Sequence, residues 1–262
     1  MSATPPDFRD MVASFPRAPG QVRTVEGREG VAEIIMDNPR KKNALTPHMM
    51  VELGDSAASA AERCCAVILR GEGGAFCSGG DLDAVRDHLG KSGSGRVLAT
   101  HMANAIDTLE SGSAVVLGVF DGPALGGGAE LLMACDEIYA SPSAVLGFVQ
   151  VRLGVSPGFG GVGRAVNKLG FRRALSVLTE AKLLRAEELR SLNLVNHWSD
   201  DPLAAARSRA EELATLPRPP LRATVSVLRA HRPTNPDARE AEIAAFDSLW
   251  GAAAHRAALD QK

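Results

Sequence analysis

The stretch Ala114-Val115-Val116-Leu117-Gly118-Val119-Phe120, followed by Ala124-Leu125-Gly126-Gly127-Gly128-Ala129-Glu130, decides the fold class. A continuous apolar run is the pattern of a strand buried on both faces, and the glycine triplet beyond it leads into helical spacing through Leu131, Leu132 and Cys135. The same order stands upstream, where Ala66-Val67-Ile68-Leu69 ends at Gly71-Glu72-Gly73-Gly74 and is followed by Phe76-Cys77-Ser78-Gly79-Gly80-Asp81-Leu82. Strands alternating with helices imply βαβ units, parallel pairing and an α/β fold. Ligands of such sheets lie beyond the C-terminal ends of the strands, which is where both glycine segments fall. Glycine lets the backbone approach a ligand closely, so the amides of Gly80 and Gly127 are expected to point into one pocket as an oxyanion hole.

Working outward, Val31 to Met36 reads as a strand ended by Asp37-Asn38-Pro39, and Thr46-Pro47 as a helix cap with proline at the first helical position. A helix from about Pro47 to Ala61 follows, with Met50, Leu53, Ala57 and Ala60 inward, and another is expected from roughly Val97 to Glu110. From Gly158 onward the pattern is helical, through Ala174 to Leu178, Glu187 to Leu192 and Ala204 to Leu216. Pro217, Pro219 and Pro220 are expected to interrupt it before a last helix from about Asp237 to Asp260. There Ile243, Phe246, Leu249 and Trp250 form a stripe that covers the chain's own core or a neighbouring subunit. The expected division is an N-terminal extension over 1–24, a ligand-binding core over 25–200 and a helical region over 201–262.

Composition narrows the function classes. Formal net charge is −2, with 29 Lys and Arg against 31 Asp and Glu, and no basic block forms a nucleic-acid stripe. The 4 cysteines, Cys64, Cys65, Cys77 and Cys135, have no metal-ligand spacing with the histidines, which argues against a disulfide or zinc framework and for a reducing cytoplasm. The first 24 residues contain Pro5, Pro6, Pro16 and Pro19 and no apolar signal core, and no segment has the roughly 18 consecutive apolar residues of a membrane span. No membrane partner and no metal is expected.

Together these segments resemble the crotonase superfamily, the enoyl-CoA hydratase and isomerase group, over nearly the whole chain from Val31 to the tail. The likeness rests on two glycine turns 47 positions apart (127 minus 80), with Gly154-Val155-Ser156-Pro157-Gly158-Phe159-Gly160-Gly161 downstream. The resemblance implies the ClpP/crotonase-like form of the α/β class, a spiral of ββα units with a C-terminal helical trimerisation region, assembled as homotrimers or dimers of trimers. It implies an acyl-CoA thioester substrate of fatty acid metabolism, its thioester oxygen held by the amides of Gly80 and Gly127. Coenzyme A then enters as part of the substrate, and no further cofactor is implied. The segment Asn38-Pro39-Arg40-Lys41-Lys42-Asn43-Ala44-Leu45 is similar to the family's strand-to-helix loop beside the CoA adenine. Arg40, Lys41 or Lys42 is thus expected near the phosphates, with Ala44, Ser78, Asp81 and Leu82 also binding the substrate.

Hydratases of this family hold their water between two glutamates. One matches Glu130, whereas the other matches Gln150 in Phe148-Val149-Gln150-Val151-Arg152. Glutamine orients by hydrogen bonds but does not exchange a proton as a carboxylate does. One acid beside an oxyanion hole suits a reaction that makes its enolate without a base, such as loss of CO2 from a malonyl-type thioester, after which only the α-carbon must be reprotonated. Within the superfamily the pattern is most similar to the ethylmalonyl-CoA and methylmalonyl-CoA decarboxylase branch, through Ser78 to Val85, Ala124 to Leu131, Phe148-Val149-Gln150 and Trp250-Gly251. Enoyl-CoA hydration or isomerisation is the alternative reaction, and a non-catalytic acyl-CoA-binding scaffold the alternative of another class. Arg152 is expected either to clamp a substrate carboxylate or to lie on the surface. Cys77 is expected to pack rather than react, Asp81 and Asp136 to hold loops through backbone hydrogen bonds, and a loop over 83–95 to line the acyl pocket.

Overall fold

The structure, a computed structural model, describes residues 7–28, 30–90, 93–232 and 236–261. The chain opens with helix α1 (Phe8–Ala13) and strands β1 (Gln21–Glu26) and β2 (Val31–Asp37), then passes a 3-10 turn at Pro39–Lys41 into α2 (Pro47–Arg63) and β3 (Ala66–Gly71). Helix α3 (Leu82–Ala84), continued by a wide turn at Val85–Leu89, and α4 (Ser94–Ser111) lead to β4 (Val115–Phe120) and β5 (Pro123–Leu125). Next come α5 (Gly127–Ala134), β6 (Glu137–Ala140), β7 (Val145–Gly147) and a 3-10 turn at Gln150–Leu153. The remainder is helical apart from β8 (His197–Trp198): α6 (Gly161–Leu169), α7 (Phe171–Glu180), α8 (Ala186–Leu192), α9 (Pro202–Ala214), α10 (Arg218–Ala230), α11 (Pro236–Leu249) and α12 (Ala253–Asp260).

Six strands form one sheet in the order β1-β2-β3-β4-β6-β8. Only β1 runs antiparallel to its neighbour, and a small parallel pair, β5 with β7, stands beside the main sheet. The continuous apolar runs follow from burial on both faces. In β3, Val67 and Leu69 join the large core with Leu53 of α2 and Ile106 of α4, while Ala66 and Ile68 pack with Ala206, Ala210 and Leu213 of α9. Thr46 caps α2 by accepting from the Met49 amide at 3.3 Å, with Pro47 at the first helical position as its sequence predicts.

From Asp7 on, the 1–24 segment packs onto the rest of the chain: Phe8 and Val12 are buried in the main core and β1 forms the sheet edge. Residues 1–6, the first part of that extension, lie outside the described residues, as do 91 and 92 within the expected 83–95 loop. The described part of that loop is largely helical, because Asp81 caps α3 by accepting from the Asp83 and Ala84 amides. Within the 201–262 region, α9 seals one face of the sheet.

Pro217, Pro219 and Pro220 start a helix instead of breaking one. They fall at the cap and first turn of α10, where a missing N–H leaves no intrahelical bond unmade. The expected single last helix is two, parted where Gly251 takes φ +67°, a left-handed conformation that ends helices. On the stripe of α11, Ile243, Phe246 and Trp250 are buried but Leu249 is exposed.

Candidate active site

The first glycine segment is stitched along Leu45. The Leu45 amide donates to the Gly79 carbonyl at 2.7 Å and the Asp81 amide to the Leu45 carbonyl at 2.9 Å. In such a ladder the residue between these two turns its own N–H the other way, so the Gly80 amide carries no hydrogen bond among the described residues. Gly127 reaches the same condition by another route: it is the first residue of α5, whose leading N–H groups have no intrahelical partner. The two turns touch. A β-carbon on Gly79, whose φ is +94°, would stand 3.2 Å from the Gly127 nitrogen, and one on Gly128 would stand 2.0 Å from the Cys77 carbonyl oxygen. Only glycine permits this approach.

Gly80 and Gly127 line one cavity of about 440 Å³ together with Glu130 and Gln150. Glu130 sits in the first turn of α5 and is buried. Its carboxylate accepts from the amides of Phe159 at 2.8 Å, Gly161 at 3.0 Å and Gly158 at 3.4 Å, and from Nε2 of Gln150 at 2.9 Å. Burial, reinforced by repulsion from Glu242, pushes its pKa up to about 7, against the pull of the amides and of Gln150. Gln150 opens the 3-10 turn, is buried, and its Oε1 has no partner among the described residues.

The basic loop divides. Lys41 Nζ is held by Asp81 at 2.8 Å and by Asp83 at 2.7 Å, so its charge is already paired. Lys42 lines the cavity, is exposed and makes no ion pair among the described residues. Arg40 is exposed and does not line the cavity. Ala44, Ser78, Asp81 and Leu82 do line it.

Arg152 is exposed and away from the cavity, which leaves it as a surface residue. Cys77 is packed: it is fully buried, and burial pushes its thiol up to about 12. Asp81 and Asp136 anchor loops as expected, Asp136 by accepting from the Val116 amide at 2.8 Å and from Arg229 at 2.7 Å. No group of three or more metal-ligating side chains occurs among the described residues.

Two residues that sequence reasoning passed over are placed here by the fold. Glu242 of α11 accepts from the Val162 amide at 3.4 Å, on the same turn whose other amides serve Glu130. Its one signal in the sequence is its place a helical turn before Phe246, which lines the cavity. His255 of α12 also lines the cavity, and nothing in its spacing marks it.

The family model for enoyl-CoA hydratase/isomerase matches residues 26–260. The chain therefore belongs to the enoyl-CoA hydratase/isomerase family, the crotonase superfamily. It is 31% identical over 247 residues to the ethylmalonyl-CoA decarboxylase of Xenopus laevis, covering 92% of this chain and 82% of that protein. It is 32% identical over 225 residues to the human enoyl-CoA hydratase domain-containing protein 2, mitochondrial, covering 83% of this chain and 76% of that one. In fold it matches an enoyl-CoA hydratase/isomerase from Mycobacterium paratuberculosis, with a TM-score of 0.84 at 20% identity over 93% of this chain and 99% of that one. No helix among the described residues is long and apolar enough to cross a membrane.

Proposed function

We propose that the chain decarboxylates a short branched malonyl-CoA thioester such as ethylmalonyl- or methylmalonyl-CoA. The observation that carries this reading is the pairing of one buried carboxyl, Glu130, with a glutamine in place of a second acid, beside two unspent peptide N–H groups. The C–C bond to the substrate carboxylate breaks, CO2 leaves, and the electron pair flows to the thioester oxygen. The Gly80 and Gly127 amides hold that oxygen, stabilising the enolate more than the neutral carbonyl. Glu130, in its acid form, gives its proton to the α-carbon and is reprotonated from solvent. Its raised pKa supports this role, because a carboxyl at the ordinary value would be ionised at neutral pH.

The likeness to proteins named ethylmalonyl-CoA decarboxylase supports the same reading. A second reading, double-bond isomerisation of an enoyl-CoA, draws on the same single carboxyl, which would carry a proton between two carbons. Incubation with ethylmalonyl-, methylmalonyl-, crotonyl- and 3-enoyl-CoA separates them. CO2 release from a malonyl thioester supports decarboxylation, and turnover of crotonyl- or 3-enoyl-CoA without CO2 overturns it. Binding of every thioester with no turnover would identify a non-catalytic scaffold.

For the surroundings of the enzyme, we infer a reducing compartment from the buried free thiols of Cys64, Cys65, Cys77 and Cys135. We also infer a trimer, supported by exposed apolar side chains on two helices, Phe171 and Leu175 on α7 and Val227 and Leu228 on α10.

A further inference from the structure

We propose that His255 recognises the carboxylate of the substrate, donating a hydrogen bond to it from Nε2–H. The inference rests on the decarboxylase reading and adds to it the group that selects a carboxylate-bearing acyl chain.

His255 is 2% exposed and lies in the first turn of α12. Its Nδ1 accepts from the Gly251 amide at 2.9 Å. An imidazole nitrogen that accepts carries no proton, so the ring's one proton stands on Nε2. Burial lowers the pKa, which favours the neutral ring. Nε2 has no protein partner among the described residues, and the side chain lines the cavity.

The wall around it is rigid. The His255 ring packs on Trp250, with centroids 4.6 Å apart, and Trp250 packs on Phe246 at 4.7 Å. A β-carbon on Gly154, which closes the 3-10 turn begun by Gln150, would stand 2.6 Å from the backbone nitrogen of His255. His255 is thus held against the turn that positions the partner of Glu130. Two donors that share the cavity with it are engaged elsewhere: the Trp250 indole N–H goes to the Leu89 carbonyl at 2.6 Å, and Arg86 bonds Asp83 at 3.2 Å and the Leu259 carbonyl at 2.9 Å.

A neutral donor fits this chemistry better than a cation. The carboxylate's charge migrates to the thioester oxygen as CO2 forms, so a strong ion pair at the departing group would stabilise the ground state more than the transition state. One hydrogen bond orients the group at smaller cost. An uncharged acyl chain in its place leaves Nε2–H buried without a partner, which is unfavourable and sets the selectivity.

Three substitutions separate this role from simple packing. His255→Phe keeps a ring and removes both nitrogens. His255→Asn keeps an acceptor near the Nδ1 position for Gly251 and withdraws the donor. His255→Gln extends a donor toward the Nε2 position. On the purified full chain, CO2 release from ethylmalonyl-CoA and calorimetric binding of butyryl-CoA, which lacks the carboxylate, are measured together. The Phe and Asn variants are expected to lose about 10- to 100-fold in kcat/KM, with butyryl-CoA affinity within about threefold of wild type and the Gln variant recovering most of the loss.

Equal weakening toward both ligands, or an active Asn variant beside an inactive Gln variant, overturns the proposal. If the Phe variant does not fold, the Asn and Gln pair still decides. If the wild type releases no CO2, the decarboxylase reading fails by itself. His255 is then judged by binding alone: preference of the wild type for ethylmalonyl- over butyryl-CoA, lost in the Asn variant, supports its role, and no preference rejects it.

Discussion

Gln150 donates from Nε2 to Oε1 of Glu130 at 2.9 Å, and the other oxygen of that carboxylate is saturated by the amides of Phe159 and Gly161. The glutamine thus fixes Glu130 in place without setting a second charge beside it. Substitution Gln150→Glu puts two carboxyls in contact, which then share a proton and raise each other's affinity for it. We expect CO2 release to fall by at least about tenfold and slow hydration of crotonyl-CoA to appear. Following the absorbance of the conjugated thioester checks this, and undiminished decarboxylation with no hydration contradicts it.

The acid form of Glu130 is the active one in the proposed scheme, and its pKa lies at about 7. Raising pH through that value ionises it, so kcat/KM should decline above pH 7, approaching a tenfold loss per pH unit. Glu242 contributes to this by repulsion. Removing its charge in Glu242→Gln lowers the proton affinity of Glu130, so the alkaline limb should move to lower pH. A pH–rate profile of both proteins is the measurement, and an unmoved limb removes Glu242 from the account.

The two amide-bearing glycines should differ in tolerance. A β-carbon on Gly80 meets only ordinary contacts, the Met50 methyl at 3.5 Å and Val85 at 3.8 Å, whereas one on Gly127 would stand 2.5 Å from the Phe159 ring. Gly80→Ala should therefore unfold like the wild type. Gly127→Ala should lose about 1–3 kcal/mol by overpacking and, with Phe159 displaced, most of its activity. Thermal denaturation with a CO2 assay distinguishes them, and equal behaviour of the two would refute the packing argument.

Lys41 and Lys42 should also separate. Lys42 lines the cavity and makes no ion pair among the described residues, so Lys42→Ala should weaken acyl-CoA binding by about fivefold, an effect that shrinks as salt screens the phosphates. Lys41 is held by Asp81 and Asp83. Its replacement should disturb the 3-10 turn and α3 before it touches the phosphates. Titration calorimetry at two ionic strengths tests this, and a salt-independent loss at Lys42 counts against a phosphate contact.

Much of the fold was legible because local patterns agreed with it. The apolar runs of β3 and β4 are unbroken since both faces are covered, and Thr46-Pro47 starts α2 by local chemistry alone. Shorter pieces were hidden. Strands β5, β7 and β8 span two or three residues each and take their shape from pairing, which no window of sequence displays. The prolines before α10 read as breakers because a helix start and a helix stop can use the same residue.

In the site itself, the residue types and their order along the chain determined which chemistry is available: two glycine turns, one glutamate, and a glutamine where a second acid would complete a pair. Tertiary structure alone decided that Gly80 and Gly127 have idle amides, since that depends on Leu45 and on where α5 begins. It alone brought Glu242 and His255 to the site and set the burial and repulsion that raise the proton affinity of Glu130. The physical reason is that burial and repulsion are set by neighbours in space, and these neighbours lie more than 100 positions along the chain (242 minus 130 is 112).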